Sequence, residues 1–172
     1  MAAIAEFYLL PGALLFELHE ATVPRKREIT EKRLFFSKTR TVTDDDLLPF
    51  LQSKAALHSR YEGPGLAFSM LDRLLQKQGF ESLFADQGFA GAATSATTAA
   101  VFDPQGAKEL LTRLREHKLD EEDVGAKVRE QIGGTDDAAV LQIFSAWRQL
   151  QAWLAALDPQ RVGVLCIVRE PE

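Results

Sequence analysis

Apolar residues recur along this chain at two periods, and the period changes wherever proline, glycine or clustered carboxylates interrupt it. Residues 4–10, IAEFYLL, are bulky and apolar over too short a run for a helix and stop at Pro11 and Gly12, which predicts a strand. Leu14, Leu15 and Leu18 then suit a short helix. Over 64–79 the signals agree: Pro64 suits the first helical position, Leu66, Met70, Leu71, Leu74 and Leu75 form one apolar stripe, and Gly79 supplies the stop. FESLF at 80–84 reads as a short strand or an extended link.

Asp103 and Pro104 form a cap-plus-proline start, with Ala107, Leu110, Leu111 and Leu114 on one face of the helix that follows. Another helix starts at Asp120 and buries Val124, Val128 and Ile132 before Gly133 and Gly134. The longest runs from Thr135 to Asp158 and Pro159, with Val140, Ile143, Phe144, Trp147, Leu150, Leu154 and Leu157 at spacings of three and four. VGVLCIV at 162–168 is apolar at every position of a two-residue period, as an interior strand is.

The run AGAATSATTAA at 90–100 is the one stretch that resembles a phosphate cradle. A P-loop needs spaced glycines and a Lys-Ser or Lys-Thr opening the helix, whereas this run holds only Gly91 and the first lysine after it is Lys108. Small residues flanked by Phe89, Val101 and Phe102 instead suit close packing of backbone, so 95–102 is expected to be a strand on a helix-covered sheet. The pattern predicts an α+β fold: one small mixed or antiparallel sheet that includes the N- and C-terminal strands, packed against several helices in a single globular domain, 1–172.

A length of 172 residues, 46% of them hydrophobic and 26% charged, supports one buried core with a wet surface. The net charge of -5 argues against general attraction to nucleic acid or an anionic membrane and favours basic partners. One segment departs from this balance: RKREITEKRLFFSKTR at 25–40 carries seven basic and two acidic residues and lacks a clean period, which predicts a loop with one exposed strand. Cys166, the single cysteine, lies in the apolar VGVLCIV and behaves as a small buried hydrophobe; a reducing cytoplasm fits it. The apolar opening MAAIAEFYLLPGALLFEL has no basic leader and is broken by Pro11 and Gly12, so neither a signal peptide nor a membrane span is expected.

No catalytic set, metal site or cofactor motif emerges. His19, His58 and His117 are isolated, and none pairs with a histidine or carboxylate at i,i+4 within one expected helix. Three acidic clusters, Asp44, Asp45 and Asp46, then Asp120, Glu121, Glu122 and Asp123, then Asp136 and Asp137, each open an expected helix, where carboxylates compensate the dipole. Thr43 is the expected cap of the first. Beyond capping, the first two clusters are candidates for an acidic docking face toward a basic protein. Trp147 and Trp153 lie six apart, which separates them on a helix: Trp147 joins the stripe, and Trp153 is expected at a rim or interface.

MAAIAEFYLLP, AAVFDPQGAKELLTRL and LQIFSAWRQLQAWLAALDPQRVGVLCIV resemble the YfbM-like family of small bacterial proteins. That resemblance implies an N-terminal strand, a strand leading into a capped helix, and a long helix returning into a hydrophobic strand. It carries no catalytic residues. Small acidic proteins of this layout recur among bacterial immunity proteins, so the leading expectation is a non-enzymatic cytoplasmic protein that binds and neutralises a cognate protein toxin. The alternatives are a small enzyme or ligand-binding module whose site forms only in three dimensions, and weak nucleic-acid binding through 25–40.

Overall fold

The computed structural model describes residues 3–23, 25–33, 36–44, 46–84, 97–133 and 136–169. Its frame is a four-stranded antiparallel sheet in the order β4-β1-β6-β5. The strands are β1 (Ala3–Pro11), β4 (Ala56–Arg60), β5 (Thr97–Phe102) and β6 (Arg161–Arg169). β1 and β6, the first and last strands, pair at the centre from Ala3↔Arg169 through Pro11↔Arg161. This is the α+β sheet expected from the pattern, and all its pairings are antiparallel.

Helices cover both faces. On one side lie α3 (Leu66–Lys77), α4 (Pro104–Glu116), α5 (Glu121–Ile132) and α6 (Asp137–Ala155). Ala5 and Phe7 of β1 and Leu165 of β6 join Phe68, Leu71, Leu75, Leu114, Val124, Ile143 and Leu150 there in the larger core. On the other side α1 (Leu15–Thr22) and α2 (Leu47–Lys54) contribute Leu18, Leu47 and Leu51 to a second core with Tyr8, Leu10, Val164 and Cys166. Strand alternation thus feeds two cores from one sheet, which is why VGVLCIV shows no polar face. Ala99 faces the second core and Ala100 the first, and both are buried. The packed-backbone reading of the small-residue run therefore holds over Thr97–Phe102; Ser95, Ala96 and the earlier part of that run lie outside the described residues.

Aspartates cap three helices, Asp103 in the place expected of it. Asp103 accepts from the amides of Gln105 and Gly106, Asp120 from those of Glu122 and Asp123, and Asp136 from those of Ala138 and Ala139. The last of these sets the start of α6 at Asp137, two residues beyond the expected Thr135. Gly79 and Gly133 end α3 and α5 with positive φ, a conformation that glycine adopts without a Cβ penalty.

Three expectations need correction, and a fourth that left two forms open is decided. Residues 25–40 are not a loop with one strand: β2 (Arg25–Arg33) and β3 (Phe36–Asp44) form an antiparallel ribbon of their own. Thr43 does not cap a helix, because β3 continues through it to Asp44, pairing Thr43 with Lys26 and Asp44 with Arg25. Pro64 precedes its helix, which starts at Leu66, and Leu66 is 39% exposed instead of part of the stripe. Of the two forms expected for Phe80–Phe84 the link is the one found, ending in a turn and tied to α3 by the buried carboxylate of Asp72, which accepts from the Leu83 amide at 2.6 Å, from the Ser82 hydroxyl and from the Gln76 side chain.

β4 has no counterpart among the sequence expectations. It pairs with β1 through an irregular register: Phe7 faces Ser59 and Tyr8 faces Leu57, leaving His58 as the extra residue of a bulge.

Candidate functional site

The richest surface lies along the first half of α6. On one side of it, α5 and α6 diverge around a groove of about 370 Å³ lined by Glu121, Val128, Arg129, Asp136, Asp137 and Leu141. On the other, a cleft of about 610 Å³ runs between α6 and the end of β4, and Tyr61, Glu62, Leu141, Gln142, Ser145 and Gln149 line it. Leu141 belongs to both walls and is 66% exposed, a large apolar side chain standing as a ridge between two hollows. Tyr61 fixes the cleft floor by donating its hydroxyl to the Gln142 carbonyl at 3.0 Å while its ring packs edge-on to Phe68.

The acidic residues on this surface arrive from two helix starts. Asp136 is committed to capping α6, yet with Asp137 it borders the groove; Glu121, in the first turn of α5, borders it from the other helix. Arg129 is the cation of the same wall. The groove therefore combines three carboxylates, one guanidinium and an aliphatic ridge, which suits a partner offering cations around an apolar socket.

The other candidate residues scatter. Asp120 is a cap, and Glu122 is exposed. Asp123 borders a separate hollow with Lys127 and Glu130. There Glu130 accepts from Lys127 and Lys77, chiefly the former, and both hold its carboxyl below the usual range. Asp44 ends β3 opposite Arg25, and Asp45 lies outside the described residues. Asp46 stands at the N-terminus of α2 without capping it by its side chain. Its carboxylate instead binds Arg25 at 2.9 Å and also Arg27, rooting the ribbon on the body.

Trp153 is not at a rim. It is 1% exposed, lying between Phe7 and Phe68, with its indole N–H donated to Ser59 Oγ at 2.5 Å. The reason is the position of α6, which packs on α3, α4 and α5, so that more than one of its faces is interior.

Leu141 itself was missed. The signal was its place beside Val140 but off the apolar stripe, a large aliphatic with no assigned burial.

The histidines contribute no reactive pair to either hollow. His117 Nε2 is 2.7 Å from Gln78 Oε1, and its ring packs against Phe80 and Trp147. His58 sits at the bulge, edge-on to Phe7. Among the described residues, no group of three or more His, Cys, Asp or Glu side chains is arranged to hold a metal ion, and no helix is long and apolar enough to cross a membrane.

One buried polar cluster remains. Glu6, in the middle of β1, accepts from the Tyr8 hydroxyl at 2.6 Å and from Arg60 at 2.5 and 3.0 Å. Burial, and then the bond to Glu6, push the Tyr8 phenol well above its ordinary value.

No family model matches the chain, and neither a characterised protein nor a solved structure matches it.

Proposed function

We propose that this chain is a cytoplasmic binding protein that captures and neutralises a basic protein toxin, in the manner of a bacterial immunity protein, and that it is not an enzyme. The observation that carries the reading is Leu141: an aliphatic side chain 66% exposed between two hollows, beside Glu121, Asp136 and Asp137. An apolar anchor ringed by charge is the arrangement in which a few residues dominate binding, while the carboxylates steer a cationic partner and set its register. The acidic balance of the chain extends the same attraction to longer range.

The test pairs this chain with the product of any toxin gene found beside its own, and the lack of one counts against the reading. Co-expression should protect cells, and the two proteins should co-elute on size exclusion. Leu141→Arg and the double reversal Asp136→Lys, Asp137→Lys should each weaken the complex by about 30-fold or more, the scale of a hot-spot residue. Absence of a complex, or equal binding by both variants, overturns the reading.

A further inference from the structure

The ribbon is not absorbed by that function. Between Arg25 and Asp44 it holds seven Lys or Arg against Glu28, Glu31 and Asp44, a balance of +4 in a chain of total -5, leaving -9 on the remainder. Among the described residues, β2 and β3 are each other's main packing partners, and the ribbon meets the body at Asp46.

Register distributes the cations over the ribbon's length. Lys26 pairs with Thr43 near the root, Ile29 with Arg40 midway, and Glu31 with Lys38, Lys32 with Ser37 and Arg33 with Phe36 toward the far end. Hydroxyl residues alternate with them: Thr30 and Thr39 face each other with their hydroxyls 3.1 Å apart, and Thr41 is opposite Glu28.

We propose that this ribbon is an arm that binds duplex DNA through its phosphates. Three physical points favour that ligand. A two-stranded ribbon has the width that the major groove of B-form DNA admits. Cations repeated along both strands match a repeating phosphate array, since Lys and Arg supply many contacts to the backbone. The acidity of the body does not cancel this attraction, because nine residues of strand extend about 30 Å while charges are screened over about 8 Å at physiological salt. An acidic protein surface fits less well: protein interfaces centre on desolvated aromatic or apolar anchors and are depleted in lysine. Asp46 pairs with Arg25 and Arg27 at the root of the arm, and Lys26 and the cations further along it are the ones the variant below removes.

Fluorescence anisotropy with a labelled random-sequence B-form duplex of about 25 base pairs tests the proposal without needing any variant. With about four phosphates engaged, affinity should fall on the order of 100-fold between about 50 and 200 mM salt, and sequence should matter little. An A-form RNA duplex, whose major groove is too narrow for a ribbon, should bind more weakly. The quadruple variant Lys26→Ala, Lys32→Ala, Arg33→Ala, Lys38→Ala should lose DNA binding and retain the far-ultraviolet circular dichroism of the parent. Glu116→Lys, at the end of α4, should not lose binding. Absence of binding at the lower salt, binding unchanged in the quadruple variant, or attachment to polyglutamate but not to DNA would each overturn the assignment.

Discussion

The indole of Trp153 lies against the ring of Phe7 with centroids 5.1 Å apart and planes only 5° from parallel. Phe68 closes the opposite side at 5.2 Å, so the three rings bind helix α6 to strand β1 and helix α3 in a single stack. Trp153→Ala removes the middle of that stack and leaves the Ser59 hydroxyl without its indole donor. Unfolding in urea should show a loss of about 3–5 kcal/mol, the range for a large aromatic deleted from a core, and Trp153→Phe should recover part of it.

Gly163 depends on the same stack. A Cβ there would stand 2.5 Å from Phe7 Cζ and 3.0 Å from Leu157 Cδ1, and Phe7 has no freedom to swing away from Trp153. Gly163→Ala should destabilise by about 1–3 kcal/mol through overpacking, although alanine is otherwise acceptable in a strand. Thermal melting of the two proteins side by side measures it.

Acidic residues that look alike in the sequence should separate by experiment. Asp103→Ala and Asp120→Ala each remove a cap that accepts two amides and should cost about 1 kcal/mol. Asp46→Ala removes only solvent-accessible ion pairs to Arg25 and Arg27 and should cost about 0–1 kcal/mol, an effect that shrinks as salt is added. Denaturation curves at low and high salt distinguish the two behaviours.

Tyr8 predicts an alkaline limit. Its phenol holds its proton more tightly in the folded chain than in the unfolded one, so the folded state binds more protons once the pH exceeds the unfolded value of 10.0. The corresponding stability is fully present below about pH 10 and is lost as the pH rises beyond it. Tyr8→Phe should be less stable at neutral pH by about 1–2 kcal/mol, for want of the bond to Glu6, and should show a shallower alkaline decline. Urea midpoints from pH 8 to 11 give both results.

Leu141 supplies a control of the opposite kind. Because most of its side chain is already in water, Leu141→Ser should change stability by less than about 0.5 kcal/mol. A much larger loss would place Leu141 in the core and remove the anchor from the proposed partner surface.

The legible parts of the fold were those with local signals. Asp103, Asp120 and Asp136 announce α4, α5 and α6 because capping is a short-range interaction written within four residues. VGVLCIV is equally plain, since burial on both faces leaves no polar position. β4 was hidden because it is a five-residue edge strand, exposed except at Ser59, with a bulge at His58 that breaks its alternation. The ribbon was half hidden for a related reason: β2 and β3 stabilise each other by pairing and carry charge where a core-facing strand carries aliphatics.

The candidate site divides in the same way. Glu121 could be nominated from its cluster, but its meeting with Asp136, Asp137 and Leu141 is set by the packing of α5 on α6 and is not encoded in any one window. A spacing of six predicts one tryptophan outside, whereas α6 is enclosed on several sides and Trp153 is buried.

The central pairing of β1 with β6 has a kinetic consequence. During synthesis β4 becomes available early and covers one edge of β1, but the opposite edge waits for Arg161, 150 positions after its register partner Pro11. Until residue 161 has been made, a ribosome-bound chain therefore leaves that edge of β1 without its strand partner. Completion of the sheet is a long-range zipping event, and pairing over so large a separation slows folding.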